Sequence, residues 1–265
     1  MKNERYAYRR FGLFFRIQHG LLFSSVIIAV ITGLPMKYPD AWLSRVTVML
    51  MGGVQMRAFL HHAAGLTMVV LGIVHIVYYV FIDRRVPFYK RPVLFRLKDL
   101  RDMVQHQQYN LGLRKDFPRM GRYTWFEKFD YIGVIWGIAV MALTGLPMLY
   151  MNTALKFIPL SWLQALWAAH SDEAMLATLF LLVIHMYHVH FSPERFPMTL
   201  TWWHGRVTRE DMEKYHPLEL EAWERKQREA EERERREAEA RARAAAEAAA
   251  QSESPAPESA PPSTE

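Results

Sequence analysis

The chain has 265 residues, a formal net charge of +6 and no cysteine. Without cysteine there is no disulfide, no thiolate-held zinc or iron–sulfur cluster and no covalent c-type haem, so any metal must rest on His, Met or carboxylate. Near-neutral mean hydropathy conceals long apolar runs over 11–195 beside a stretch over 217–249 that is almost all Glu, Arg, Lys, Gln and Ala.

The first apolar stretch, 11–36, is densest from Leu21 to Leu34. It runs on to a full span without a small-residue cleavage pattern, so it is expected to stay as an uncleaved anchor. Further candidate spans are 54–82, 129–151 and 171–191. Each is long enough to cross about 30 Å of hydrocarbon, which takes about 20 helical residues. Basic residues precede the first span (Lys2, Arg5, Arg9, Arg10 and Arg16) and crowd the 83–128 connection, while the other two connections carry few. The positive-inside rule therefore puts both termini and the 83–128 loop in the cytoplasm. Within that loop Leu94–Gln107 reads as a basic amphipathic helix on anionic lipid. Leu160–Ala169 reads as a separate short interfacial helix with Ser161 as its N-cap. Basic side chains so placed face membrane lipid, and no nucleic-acid partner is expected. From Glu219 to Ala249 Glu/Arg pairs recur at helical spacing without an apolar face, which predicts a solvated charged helix. Residues 250–265 are mostly Ser, Pro, Glu and Ala and are expected to be disordered. The architecture predicted is all-α: an integral membrane four-helix bundle in 1–215 and a charged tail in 216–265.

Thr32-Gly33-Leu34-Pro35-Met36 recurs as Thr144-Gly145-Leu146-Pro147-Met148, at an offset of 112. Each copy closes the outer end of a span, and each is followed in the next span by a His pair: His61 and His75, then His170 and His185. Helices one and two thus form one copy of a tandem repeat, and helices three and four the other, with an approximate two-fold axis along the membrane normal.

Eight of the eleven histidines lie in or at the ends of the apolar segments. Polar residues at that depth are costly and read as functional. The steps of fourteen and fifteen residues within the pairs cover ~21–22 Å of helix and return to within about 60° of one face. Two such helices can clamp one haem in each leaflet between imidazoles. The outer pair is His170 with His61 or His62. His61 is favoured because Gly65 lies one turn on, as Ala174 does after His170, and a small residue there lets a flat plate lie against the helix. The inner pair has three claimants, His19, His75 and His185, and spacing does not choose among them. His188 and His190 sit at the inner rim; His106, His204 and His216 lie outside the spans and are expected at the surface.

Several strings together resemble the membrane cytochrome b subunits of respiratory formate dehydrogenases and nickel-iron hydrogenases, closest to the branch that works with multihaem c cytochromes. They are Arg16-Ile17-Gln18-His19, the first TGLP, Leu60-His61 with Gly65, Arg122 to Tyr131, His170-Ser171-Asp172-Glu173-Ala174, and His185 with His190 to Pro197. The resemblance covers about 10–215. It implies two b-type haems, one held by His61 and His170 and one by His19 and His185, with His75 surplus. It also implies a quinone site, for menaquinone or ubiquinone, near the inner haem. The periplasmic partner implied is a multihaem c cytochrome or a dehydrogenase or iron–sulfur subunit. Rim residues Glu127, Asp130, His188 and His190 are candidates to move the quinone's protons. Arg16 and Lys128 are candidates to pair with haem propionates or a quinone oxygen. The rival reading is a non-haem membrane protein, either a His-lined proton or metal-ion carrier or an anchoring or assembly subunit.

Overall fold

The computed structural model describes residues 8–83, 86–192 and 195–252. Lys2, Arg5, Arg84, Arg85, Pro193, Glu194 and most of the stretch expected to be disordered (253–265) lie outside the described residues. Four long helical units carry the apolar runs: α1 (Leu13–Lys37), the helix following a nine-residue surface helix α2 (Trp42–Leu50), namely α3 (Val54–Val77), then α5 and α7 after the loop helix α4 (Leu97–Asn110). Here α5 is Trp125–Leu149 and α7 is Leu160–Leu179, with the four-residue α6 (Met151–Ala154) between them. Both α3 and α7 continue as π-helical turns, Tyr78–Ile82 after the first, Phe180–His185 and Tyr187–Phe191 after the second. Helix α1 packs on α3, α5 packs on α7, and α3 joins the two hairpins by packing on α5. All four units are long and apolar enough to cross a membrane, with at most 11% of each apolar window buried. Their outward side chains, such as Phe23, Ile27, Val70, Trp136 and Leu143, are exposed. A helix apolar on all sides has lipid as its solvent.

Two span boundaries differ from the expectation. The third unit begins at Trp125 rather than 129, because Thr124 and Glu127 form a capping box: Glu127 N donates to Thr124 Oγ1 at 3.3 Å and Thr124 N to Glu127 Oε2 at 2.8 Å. The fourth begins at Leu160, not 171. Leu160–Ala169 is no separate interfacial helix and Ser161 is no cap; Pro159 occupies the N-cap, and no Gly or Pro interrupts the run into His170. A unit of 32 residues reaches about 48 Å, so its first turns project past the hydrocarbon. Between α2 and α3 the chain reverses on Gly52 and Gly53, whose φ angles of 87° and 103° suit glycine.

The end of the bundle opposite the TGLPM strings carries a polar cap. Strand β1 (Tyr8–Arg9) pairs antiparallel with β2 (Arg206–Val207), which follows the short α8 (Thr201–His204). Tyr8 and Val207 are buried with Met212 of α9 (Arg209–Tyr215) and Leu220 of α10 (Pro217–Ser252). Glu219 accepts from Arg10 at 2.8 Å and from Arg122 at 2.6 Å. His216, expected at the surface, is buried, and its Nδ1–H donates to Gly121 O at 2.8 Å. That burial holds its pKa below the usual imidazole range, with nearby Glu127 opposing the shift. His106 is also engaged, accepting from the Trp125 indole at 3.0 Å. Beyond the cap, α10 is exposed as far as Ala246 and laced by i,i+4 pairs such as Arg233–Glu237 and Arg235–Glu239.

Candidate haem and quinone sites

At the TGLPM end the two repeats build the same device twice. The Thr32 hydroxyl donates to Ile28 O at 2.6 Å, one turn back in its own helix, and lies 2.9 Å from His61 Nδ1. The Thr144 hydroxyl donates to Val140 O at 2.6 Å and lies 2.9 Å from His170 Nδ1. Each hydroxyl hydrogen is spent on the helix carbonyl, so the threonine oxygen accepts and each imidazole donates through Nδ1. The lone pair then resides on Nε2, the form a metal-binding histidine needs. The glycine after each threonine makes room for the ring. A Cβ at Gly33 would stand 3.2 Å from His61 Cε1, and one at Gly145 3.0 Å from His170 Cε1.

The His61 and His170 ring centroids are 6.4 Å apart, with their planes at 69°. Metal–nitrogen bonds of about 2 Å on both sides of one iron place two imidazole centres about 6 Å apart. The pair is thus spaced so that His61 and His170 would hold one haem between them. A Cβ at Gly65 would meet nothing within 4 Å, so the face one turn beyond His61 is open. His62 lies beside His61, with ring centroids 6.3 Å apart, and is exposed. Lys37 ties the two hairpins together here, donating to Ser171 Oγ at 2.7 Å and to Asp172 at 2.8 Å.

The cap end breaks the repeat. His75 has both ring nitrogens engaged, Nδ1 with Gln18 Oε1 at 3.2 Å and Nε2 with Tyr131 Oη at 3.0 Å. Among the described residues His185 uses only Nδ1, 3.1 Å from Asp130 Oδ2. A carboxylate on Nδ1 again directs Nε2 outward as a ligand. His19 is exposed on its helix, makes no hydrogen bond among the described residues, stands 6.2 Å from the Trp202 ring and lies within electrostatic reach of His185 and His190. His185 ends the first π turn of its unit. A π turn absorbs one residue more than an α turn. The fifteen steps from His170 to His185 therefore hold about the angular phase of the fourteen from His61 to His75.

Among the described residues, the buried polar atoms at the cap end that find no hydrogen-bond partner include Arg16 Nε, Gln18 Nε2, His190 Nδ1 and Trp202 Nε1. Buried polar atoms are normally paired. Three of these are obligate donors, so they suit an occupant rich in oxygen acceptors. The other rim residues are occupied. Glu127 is held by Thr124 N, by Thr124 Oγ1 at 3.0 Å and by Arg10 at 3.5 Å. Lys128 lies 2.8 and 2.9 Å from the two Asp99 oxygens, which removes it as a partner for a propionate or quinone. His188 stacks on Phe126 at 4.8 Å and donates to Ile184 O at 2.9 Å. Gln18 and Trp202 were not singled out in the sequence, and only proximity in the fold reveals them. Thr32, Gly33 and their copies were visible, but as a repeated helix exit rather than as the seat of the next helix's histidine.

A family model described as prokaryotic cytochrome b561 matches residues 10–201. The chain belongs to this family. The match spans both TGLPM strings and every histidine from His19 to His190. A search of curated proteins found no match. The chain is thus a prokaryotic multi-pass membrane protein of electron transfer, with haem b as its cofactor. The residues at the TGLPM end fit that group: His61 and His170 have ring centroids 6.4 Å apart, and each imidazole donates through Nδ1 to a threonine oxygen.

Proposed function

We propose that this cytochrome b561-family chain is a di-haem subunit that exchanges electrons between the quinone pool and a periplasmic redox partner. His61 and His170 hold one haem; His19 and His185 hold the other. The observation that carries the reading is the twice-built Thr–His hydrogen bond with the two rings 6.4 Å apart. His19 is preferred over His75 at the cap end because both His75 nitrogens are already bonded to protein groups. Haem supplies one-electron redox chemistry when bound. The protein's own part is to fix imidazole tautomers through Thr32, Thr144 and Asp130, and to keep the rings facing. Charge distribution favours the cap end as cytoplasmic. The TGLPM end would then face the periplasm, where a multihaem c cytochrome or an iron–sulfur or dehydrogenase subunit docks.

Menaquinone or ubiquinone would bind at the cap end. Arg16 Nε–H and Trp202 Nε1–H, without partners among the described residues, are donors for its oxygens, and His190 is placed to pass it a proton. Glu127 leaves the proton-carrying set because Arg10 and the α5 cap use its oxygens, and Asp130 becomes the residue that orients His185. The rival metal-ion carrier fits less well: among the described residues no group of three or more His, Asp or Glu gathers as a metal site. The test is a reduced visible spectrum and a pyridine haemochrome on the purified chain. Two b haems per chain are expected; a colourless protein would favour the rival.

A further inference from the structure

Four basic side chains are buried among the described residues: Arg10, Arg57, Arg91 and Lys128. Three have a carboxylate at ion-pair distance, Arg10 with Glu219 and Glu127, Arg91 with Asp83, and Lys128 with Asp99. Arg57 has none among the described residues. It is 8% exposed, and its guanidinium spends one Nη1–H on Thr32 O at 3.0 Å. A buried charge without a counter-charge is strongly disfavoured. Its position says where the counter-charge belongs. Arg57 lies one turn before His61 on α3, on the side nearer the membrane surface, and it grips the backbone of the threonine that orients His61. The repeat has no equivalent, since the residue one turn before His170 is Leu166. Lys37, the other cation tied into this end, is already neutralised by Asp172.

We propose that Arg57 binds a carboxylate of the ligand held between His61 and His170, a haem propionate, and that its charge raises the reduction potential of that one haem. The inference rests on the haem reading of this pair. A guanidinium offers several N–H donors, and one bond to Thr32 O leaves others for a carboxylate in the planar geometry such pairs favour. Adding an electron to the iron makes the site more negative, so an adjacent fixed positive charge favours the reduced form. Removing it also leaves the propionate uncompensated, which acts in the same direction.

The experiment is an optical redox titration of the detergent-purified chain and its Arg57→Gln variant, with a haem count on each. The expected result is two haems per chain in both, one midpoint potential lowered and more pH-dependent in R57Q, and the other unchanged. The band of the haem propionate bending mode in resonance Raman should shift for the same haem. Should R57Q fail to accumulate, Arg57→Lys keeps the charge but loses the planar fork. It should retain both haems and show a smaller shift of the same potential with the same altered propionate band. Unchanged potentials and propionate bands with both haems present would overturn the proposal. If the wild-type chain held no haem, or if His61→Ala kept both haems, the underlying ligand reading would fall instead, and the two failures are told apart by the count.

Discussion

The two ends of the bundle solve one problem in different ways. At the TGLPM end the histidines are oriented by copies of one local device, a threonine and a glycine on one helix seating an imidazole on the next. At the cap end the copies have diverged. Where helix one carries His19, helix three carries Tyr131, and that tyrosine hydrogen-bonds the surplus His75. His185 is oriented instead by Asp130, and a π turn brings it to the phase it needs. On the proposed ligand assignment, symmetry suffices for the site whose two ligands come from equivalent helices, α3 and α7. The proposed cap-end site draws on the inequivalent helices α1 and α7 and needs partners that the repeat does not supply.

That contrast is broken most severely by removing ligands at the cap end. His19→Ala and His185→Ala should each lower the pyridine haemochrome count from two haems to one, while His75→Ala keeps two. Loss of a haem in H75A with retention in H19A would transfer the ligand role to His75. Next in size is the cap itself. Lys128→Ala leaves Asp99 charged and buried without its partner. Breaking a buried pair costs about 3–5 kcal/mol. The variant should therefore unfold at lower temperature in a detergent melt, with the TGLPM-end haem the last to be lost.

How much of this was legible follows the same division. The spans, the repeat and the His61/His170 pairing are readable because helical period and a repeated string are local signals. Two helix starts were misplaced, at Trp125 and Leu160. The first depends on a capping box four residues long, and the second on Pro159 opening a helix that nothing then interrupts. The cap-end ligands stayed open because the choice between His19 and His75 depends on Gln18 and Tyr131, from two other positions in the fold. His216 was misplaced at the surface because its acceptor, Gly121 O, lies 95 residues away. Nothing in the sequence sets Arg57 apart from other basic residues; its burial without a carboxylate among the described residues marks it.

Smaller effects sharpen the TGLPM end. Thr32→Val and Thr144→Val keep the shape and remove the acceptor for each Nδ1–H. A hydrogen bond that makes the imidazole more basic stabilises the oxidised iron. A net difference of about 0.5–1 kcal/mol corresponds to roughly 20–40 mV for one electron, so the double variant should show a rise of that order in one haem's midpoint potential. The other haem should not move. The smallest effect is the pH dependence of the cap. His216 has a folded-state pKa below its ordinary value of 6.5. The unfolded chain therefore takes up a proton first, and stability falls as pH drops below about 6.5 toward the folded value. Melts of the wild type and of His216→Gln at several pH values between 7.5 and 5 check this; the variant should lose less stability across that range.

The most direct measurement is the haem content and reduced spectrum of the His61→Ala and His170→Ala chains beside the wild type. Each variant should hold one b haem where the wild type holds two, and both should lose the same spectral component. Two haems retained in either variant, or the loss of different components from the two, would contradict a single haem clamped between helices α3 and α7.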